Sequence, residues 1–316
     1  MKEIRNILTL LRNCLYGSEE MKLAAIQEST LPTLLSLWPW LLTCVDVLHA
    51  ALHFLCVLTA NCPSACTACC SVVHSRTPTC QSGARGSFTA GLFQHLVRIC
   101  SQSRNNSQHL AFNVLSNLSL CQEARSMLQK GNFLNQFAKV PLPRPGQAPH
   151  PTLQCWLWLL VMLSYSEDGR QLVLRASGSL DVLLDLEERL KPAKDCVAGK
   201  HSLKRVPLPP ITTLILHNLC FCQAAKAHIL ASERYISLLI RWLDSDERTQ
   251  RTAGASALWA LLHHSQKAKV SIKNPRMKAK VESALLTVKN EAHAEQSALE
   301  EHFFRSLKNI SALLNS

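Results

Sequence analysis

Apolar residues recur along this chain at helical spacing. Ile4, Ile7, Leu8 and Leu11 fit one helical period, as do Leu48, Leu52, Leu55 and Cys56, and later Leu92, Leu96, Val97 and Ile99. Ile236, Leu239, Ile240 and Leu243 define a strongly amphipathic segment, with Ser232 placed to cap its start. Gly17-Ser18 breaks the first helix, and Ser18 can cap the next. Pro32 and Pro39 divide the stretch after it. A proline-rich loop at 141–151 and a basic loop at 191–209 interrupt the later helices, and Pro210 suits the first turn of the helix after it. Between these breaks Leu and Ala dominate, which favours helix over strand.

The helices obey a longer rhythm. A Leu, a basic residue and an aliphatic residue recur with six and then two residues between them. The copies are Leu118/Arg125/Leu128, Leu163/Arg170/Val173, Leu219/Lys226/Ile229 and Leu262/Lys269/Ile272, with a fainter Leu15/Lys22/Ala25. The four strong Leu anchors lie 45, 56 and 43 residues apart, and the long interval holds the basic loop. Helical repeats of about 40–47 residues predict an all-α, armadillo/HEAT-like helical solenoid. Each unit of such a fold buries its apolar side only against its neighbours. The basic residue is predicted to sit near the free carbonyls of the preceding helix, opposing the negative end of its dipole. Gly131 is predicted to end the short helix of the first strong repeat in a left-handed conformation.

The string Asn117–Leu134 and its partial repeat His217–Leu230 resemble armadillo repeats. In peptide-binding members of that family, an inner ladder of Asn and Trp clamps an extended peptide. Asn117 and Asn218 match the ladder Asn, Met162 and Leu261 stand at the equivalent sites, and Trp158 matches the ladder Trp. No repeat holds both, so nuclear-import-type peptide binding is not expected. The segments Ala255–Ala284 and Phe303–Ser316 are similar to the C-terminal end of a family of very large armadillo-like proteins of centrioles and ciliary basal bodies. The likeness extends over 92–316 and, more weakly, over 1–60. It implies a piece or short form of a longer protein, with an apolar repeat face left open at its start. It also implies a cytoplasmic, cytoskeletal scaffold at the centrosome or basal body, with centriolar proteins as partners.

Residues 61–90 break the rhythm. Cys62, Cys66, Cys69, Cys70 and Cys80 crowd among Ser, Thr, Gly and Pro, and this insert is expected to be irregular and disordered between helical repeats at 1–60 and 91–316. Cys66-x-x-Cys69 has metal-ligand spacing, but no second pair closes a site. No metal is expected. Of the 14 cysteines, most stand in apolar helical runs, where Cys acts as a small hydrophobe. With no secretory pattern at the N-terminus, this predicts a reducing compartment. The apolar stretch Leu31–Ala60 is interrupted by Pro39, Asp46, His49 and His53, so buried repeat helices are predicted there rather than a membrane span.

Hydrophobic residues make up 47% and charged residues 18% of the chain, so most helices must be covered. The net charge of +12 concentrates in Lys191–Arg205 and Lys267–Lys280. Lys267, Lys269, Lys273, Arg276, Lys278 and Lys280 join Asn117 and Asn218 as candidate partner-binding residues. An alternative function is electrostatic binding of nucleic acid or acidic protein surfaces. Protein partners are expected ahead of nucleic acid, because no stacking aromatics lie between these charges.

No phosphate loop, metalloprotease motif or nucleophile elbow is present. No enzyme activity, catalytic residue, cofactor or small-molecule substrate is expected. Glu187-Glu188 and Glu300-Glu301 are read as solvated surface carboxylates, and Trp156, Trp158, Trp242 and Trp259 as core anchors. The chain is predicted to be a protein-binding scaffold, closed at its C-terminal end by a more charged helix pair.

Overall fold

The computed structural model describes residues 1–71, 91–102, 107–144, 150–189, 208–263, 275–291 and 298–315. Among them there is helix and no strand. The chain forms two compact units, Met1–Leu142 with Ala148–Leu172, and Pro143–Gln147 with Val173–Ser316.

In the first unit, long helices alternate with groups of shorter elements. α1 (Lys2–Leu15) leads through α2 (Glu19–Gln27), α3 (Thr30–Ser36) and α4 (Trp38–Leu41) to α5 (Val45–Thr59). Next come α6 (Pro63–Ser71), α7 (Leu92–Ser101) and α8 (Gln108–Leu118). After α9 (Gln122–Lys130) and a 3-10 turn, the chain enters α10 (Pro151–Ser164). The long helices stack side by side, α1 on α5, α5 on α8 and α8 on α10. Stacking explains why α5 is apolar over more than one face. Val47, Leu48, Ala51, Leu52, Phe54, Leu55 and Leu58 are all buried, because it has a neighbour on each side. Phe133 stacks on Trp156, with ring centroids 4.7 Å apart, and Phe112 meets the same indole edge-on. Ser18 and Ser232 accept from the backbone amides of Met21 and Tyr235 at 3.2 and 3.3 Å, as their sequence positions predict.

α11 (Glu167–Arg175) bridges the division of the chain. The second unit contains α12 (Ser179–Arg189), α13 (Leu208–Leu219), α14 (Lys226–Ala231), α15 (Glu233–Trp242) and α16 (Arg248–Leu262). It ends with α17 (Pro275–Glu291) and α18 (Ala298–Asn315). α13 packs on α16, and α16 on α18. Gly254 permits α16 to approach α15 closely, since a Cβ there would lie 2.8 Å from the Trp242 Cβ and 3.1 Å from the Leu239 carbonyl oxygen.

Three sequence expectations need correction. Pro63–Ser71 is a helix, so the supposed insert is regular over its first part; 72–90 lie outside the described residues. Cys62, Ala65, Cys66, Cys69 and Cys70 are buried and fall at i, i+3, i+4, i+7 and i+8. This is an amphipathic stripe in which thiols stand where Leu would. Gly131 keeps right-handed geometry, and Asn132 takes the positive φ of 50° instead. Trp156 and Trp242 are buried anchors, whereas Trp158 is 36% exposed and Trp259 half-buried.

Candidate protein-binding site

Among the described residues, the basic positions Lys22, Arg125, Arg170 and Lys226 each donate to carbonyls at the end of a long helix. The Leu anchors 15, 118, 163, 219 and 262 are all buried. Arg125 and Arg170 turn back onto the helix before them. The Arg125 guanidinium donates to the carbonyls of Ser119 and Leu120 at 3.1 and 2.8 Å, and that of Arg170 to Ser164 at 3.0 Å. This is the predicted arrangement. The lysines reach forward instead. Lys22 donates to the carbonyl of Ala60, at the end of α5, at 2.6 Å, and Lys226 to that of His263, at the end of α16, at 2.9 Å. Both lysines are buried, and burial lowers the Lys226 pKa. Lys269 and Ile272 lie outside the described residues.

The ladder position has divergent contents. The Asn117 side-chain amide donates to the Cys56 carbonyl at 3.2 Å and the Thr59 hydroxyl at 3.0 Å, so it joins α8 to α5. Asn218 lies beside His217, its side-chain oxygen 3.0 Å from Nδ1. His217 Nε2 is 3.1 Å from Ser256 Oγ on α16. A neutral imidazole satisfies both contacts, donating from one nitrogen and accepting at the other. Burial lowers the His217 pKa, outweighing the Asn218 hydrogen bond that raises it. The order Asn-His-Ser resembles a nucleophilic relay. Ser256 lies in the middle of α16, however, where backbone amides bond within the helix and supply no oxyanion donors.

His217 and Ser256 line a cleft of about 460 Å³. Thr213, Leu214 and His217 of α13 form one wall, Thr249, Gln250, Ala253 and Ser256 of α16 another, and His302 of α18 contributes from the side. Behind it sits Glu187, which the sequence placed on a solvated face. It is 5% exposed. Thr212 donates to one carboxylate oxygen. Thr213, the Trp242 indole and Gln250 donate to the other at 3.0, 3.2 and 3.0 Å. Burial raises the Glu187 pKa, against the lowering effect of these four hydrogen bonds. One carboxylate thus ties α12 to α13, α15 and α16. The signal was present in the sequence, since Leu180, Leu183, Leu184 and Glu187 share one helical stripe.

The widest apolar exposure is near the start of the chain. Leu8 and Leu15 of α1 are buried, but Ile7 and Leu10 on a second stripe are 57% and 64% exposed. Met1, Tyr16, Met21, Leu23, Trp40, Leu42 and Val45 are exposed as well. Of the basic candidates, Lys267, Lys269 and Lys273 lie outside the described residues. Arg276 falls in α17, Lys278 is exposed on that helix, and Lys280 pairs with Asp244. The five candidates among the described residues fall on α8 (Asn117), α13 (Asn218) and α17 (Arg276, Lys278 and Lys280). Among the described residues, no helix is long and apolar enough to cross a membrane.

No family model matches the chain. It is similar to mouse rotatin, 38% identical over 320 residues, which covers 100% of this chain and 14% of rotatin. Human rotatin is 37% identical over 321 residues with the same coverage. The chain thus spans about a seventh of the length of these relatives. In fold it is similar to a crystallised engineered protein, with a TM-score of 0.64 at 14% identity over 97% of this chain and 63% of the other. A designed armadillo repeat protein in complex with the peptide (KR)4 gives 0.58 at 13% identity, over 84% of this chain and 92% of the other. The chain is an armadillo-type helical-repeat relative of rotatin, matched from end to end by a C-terminal part of that longer protein.

Proposed function

We propose that this chain is a non-catalytic, protein-binding scaffold, acting, as its likeness to rotatin implies, in centriole and basal-body assembly and so in ciliogenesis. The observation that carries the binding role is the second apolar stripe of α1. A repeat helix with two apolar stripes is built for two neighbours, and α5 shows the filled case. On α1 the stripe holding Ile7 and Leu10 is exposed, a face suited to a further helix, whether of a neighbouring repeat or of another protein. Its partner is another helical protein surface with a complementary apolar ridge, at the centrosome or base of the cilium. The cleft beside Glu187 offers a second, more polar contact.

Proximity labelling in ciliated cells tests the proposal, using the chain fused to a labelling enzyme. Centriolar and basal-body proteins are expected among those labelled, and Ile7→Asp with Leu10→Asp should reduce their labelling while leaving the helical circular dichroism unchanged. Labelling confined to nuclear or membrane proteins would overturn the centriolar reading. In vitro binding that collapses between about 50 and 200 mM salt would instead indicate an electrostatic mode.

A further inference from the structure

Two cysteines from separate helices meet in the first unit. Cys70, in the last turn of α6, and Cys121, the residue that opens α9, have their sulfur atoms 3.9 Å apart. That is about 2 Å longer than a disulfide bond. Cys70 is buried and Cys121 half-exposed, so one thiol is reachable from solvent and the other is sheltered behind it. The neighbouring thiols are otherwise engaged. Cys66 lies 3.4 and 3.6 Å from the carbonyls of Thr59 and Asn117, and Cys69 is fully buried.

We propose that Cys70 and Cys121 are a peroxide-responsive dithiol, in which Cys121 is oxidised first and Cys70 resolves it to a disulfide joining α6 to α9. The electrostatics agree with this division of roles. The hydrogen bond from Cys70 lowers the Cys121 pKa, and the Ala124 backbone amide in the first turn of α9 acts in the same direction; burial and Glu123 oppose them. The same contact and burial raise the Cys70 pKa. Elsewhere in this unit burial pushes Cys56 and Cys66 up to about 12 and Cys155 to about 11, which keeps them protonated and unreactive.

The chemistry balances with a hydroperoxide as oxidant. The Cys121 thiolate attacks the peroxide oxygen, the O–O bond breaks, and with one proton the products are a sulfenic acid and water (or the alcohol). The Cys70 sulfur then attacks the sulfenyl sulfur. An S–S bond forms, the S–O bond breaks, and hydroxide leaves with the Cys70 proton as a second water. Two electrons pass from the thiol pair to the peroxide. In a reducing compartment such a bond is transient, as suits a sensor.

The test treats the reduced full chain with a small excess of hydrogen peroxide at neutral pH and maps it without reduction. A cross-linked peptide pair containing Cys70 and Cys121 is expected, with a mass loss of two hydrogens and recovery of both thiols on adding dithiothreitol. In Cys70→Ser, whose hydroxyl can still donate to Cys121, the cross-link should vanish and Cys121 should accumulate as a sulfenic acid trapped by dimedone. Wild-type protein that keeps both thiols reduced, or that links either of them to a different cysteine, overturns the proposal without reference to any variant. So does a Cys70→Ser protein with native helical circular dichroism in which Cys121 yields no dimedone adduct.

Discussion

The junction after α5 and the junction after α13 perform one task with different chemistry. In each, a residue seven positions beyond the end of a long helix lies between two helix C-termini. After α13 it is Lys226, whose ammonium holds the terminal carbonyl of α16. After α5 it is Cys66, which stands seven beyond Thr59 as Lys226 does beyond Leu219. Its thiol lies 3.4 Å from the Thr59 carbonyl, behind it, and 3.6 Å from that of Asn117, ahead in α8. Cys69 fills the aliphatic position three further on and is fully buried. The repeat therefore requires a donor directed at helix-end carbonyls, and charge is one way of supplying it. A cation bonds more strongly and opposes the helix dipole, but costs desolvation. A thiol donates weakly and costs almost nothing to bury.

The largest effect is expected where the charged solution is most deeply buried. Glu187→Ala leaves the Trp242 indole, Gln250 and two threonines without their acceptor, and should destabilise the second unit by about 3 kcal/mol or more. Urea denaturation followed by Trp fluorescence measures this. Glu187→Gln keeps the acceptor for Thr213, Trp242 and Gln250, and turns an amide toward the Thr212 hydroxyl, which can accept. Its comparison with wild type fixes the sign of the pH dependence. Burial raises the folded-state pKa of Glu187, so folding is favoured by its protonated form. That contribution is complete below the unfolded carboxylate pKa and is lost as pH rises through the folded value. The stability of Glu187→Gln relative to wild type should therefore increase as pH rises above about 4 and level off above the folded-state value. A difference independent of pH would mean that the four hydrogen bonds fully offset the desolvation of Glu187.

A steric change acts on the same network. Gly254→Ala places a methyl 2.8 Å from the Trp242 Cβ, and the helices must separate or the indole must move. A loss of about 1–3 kcal/mol is expected, with altered Trp fluorescence in the native state. Next in size is Lys226→Met, which retains the apolar stem and removes the bond to His263. It should cost about 1–2 kcal/mol. Lys226→Cys sharpens the comparison, because it transplants the solution of the α5 junction. Stability equal to Lys226→Met would show that a thiol does not substitute for the ammonium at this spacing.

Periodicity made part of this fold readable from the sequence, and residue type concealed the rest. The buried Leu anchors and the Arg125 and Arg170 contacts were legible because Leu and Arg have one dominant reading in a helical repeat. Whether Lys22 and Lys226 faced backward or forward was not, since the side chain spans either distance and only packing decides. Glu187 lay on the stripe of Leu180, Leu183 and Leu184, but a carboxylate is buried only where donors converge. Those donors come from residues 25 to 63 positions further along. In α6 the period was present at positions 62, 65, 66, 69 and 70, yet a cluster of cysteines invites a reading as chemistry before one as packing. The α1 stripe was visible as hydrophobicity, and its exposure depended on which helices stack beside it.

The smallest expected effect is also the most direct test of the junction comparison. Cys66→Ala removes one weak donor and little volume, and the carbonyls it serves retain other partners: Thr59 accepts from the Cys62 amide at 3.4 Å, and Asn117 from the Leu120 amide at 3.3 Å. The loss should be below about 1 kcal/mol. Cys66→Lys is the reciprocal of Lys226→Cys. If the α5 junction differs from the α13 junction only in its donor, lysine should reach the α8 carbonyls as Lys22 reaches Ala60, and stability should hold or rise. If the thiol stripe of α6 is packed too tightly for a longer stem, stability should fall by more than in Cys66→Ala. Stopped-flow unfolding and equilibrium denaturation of the pair separate these outcomes, because a buried ammonium without its carbonyl cannot be neutral in effect.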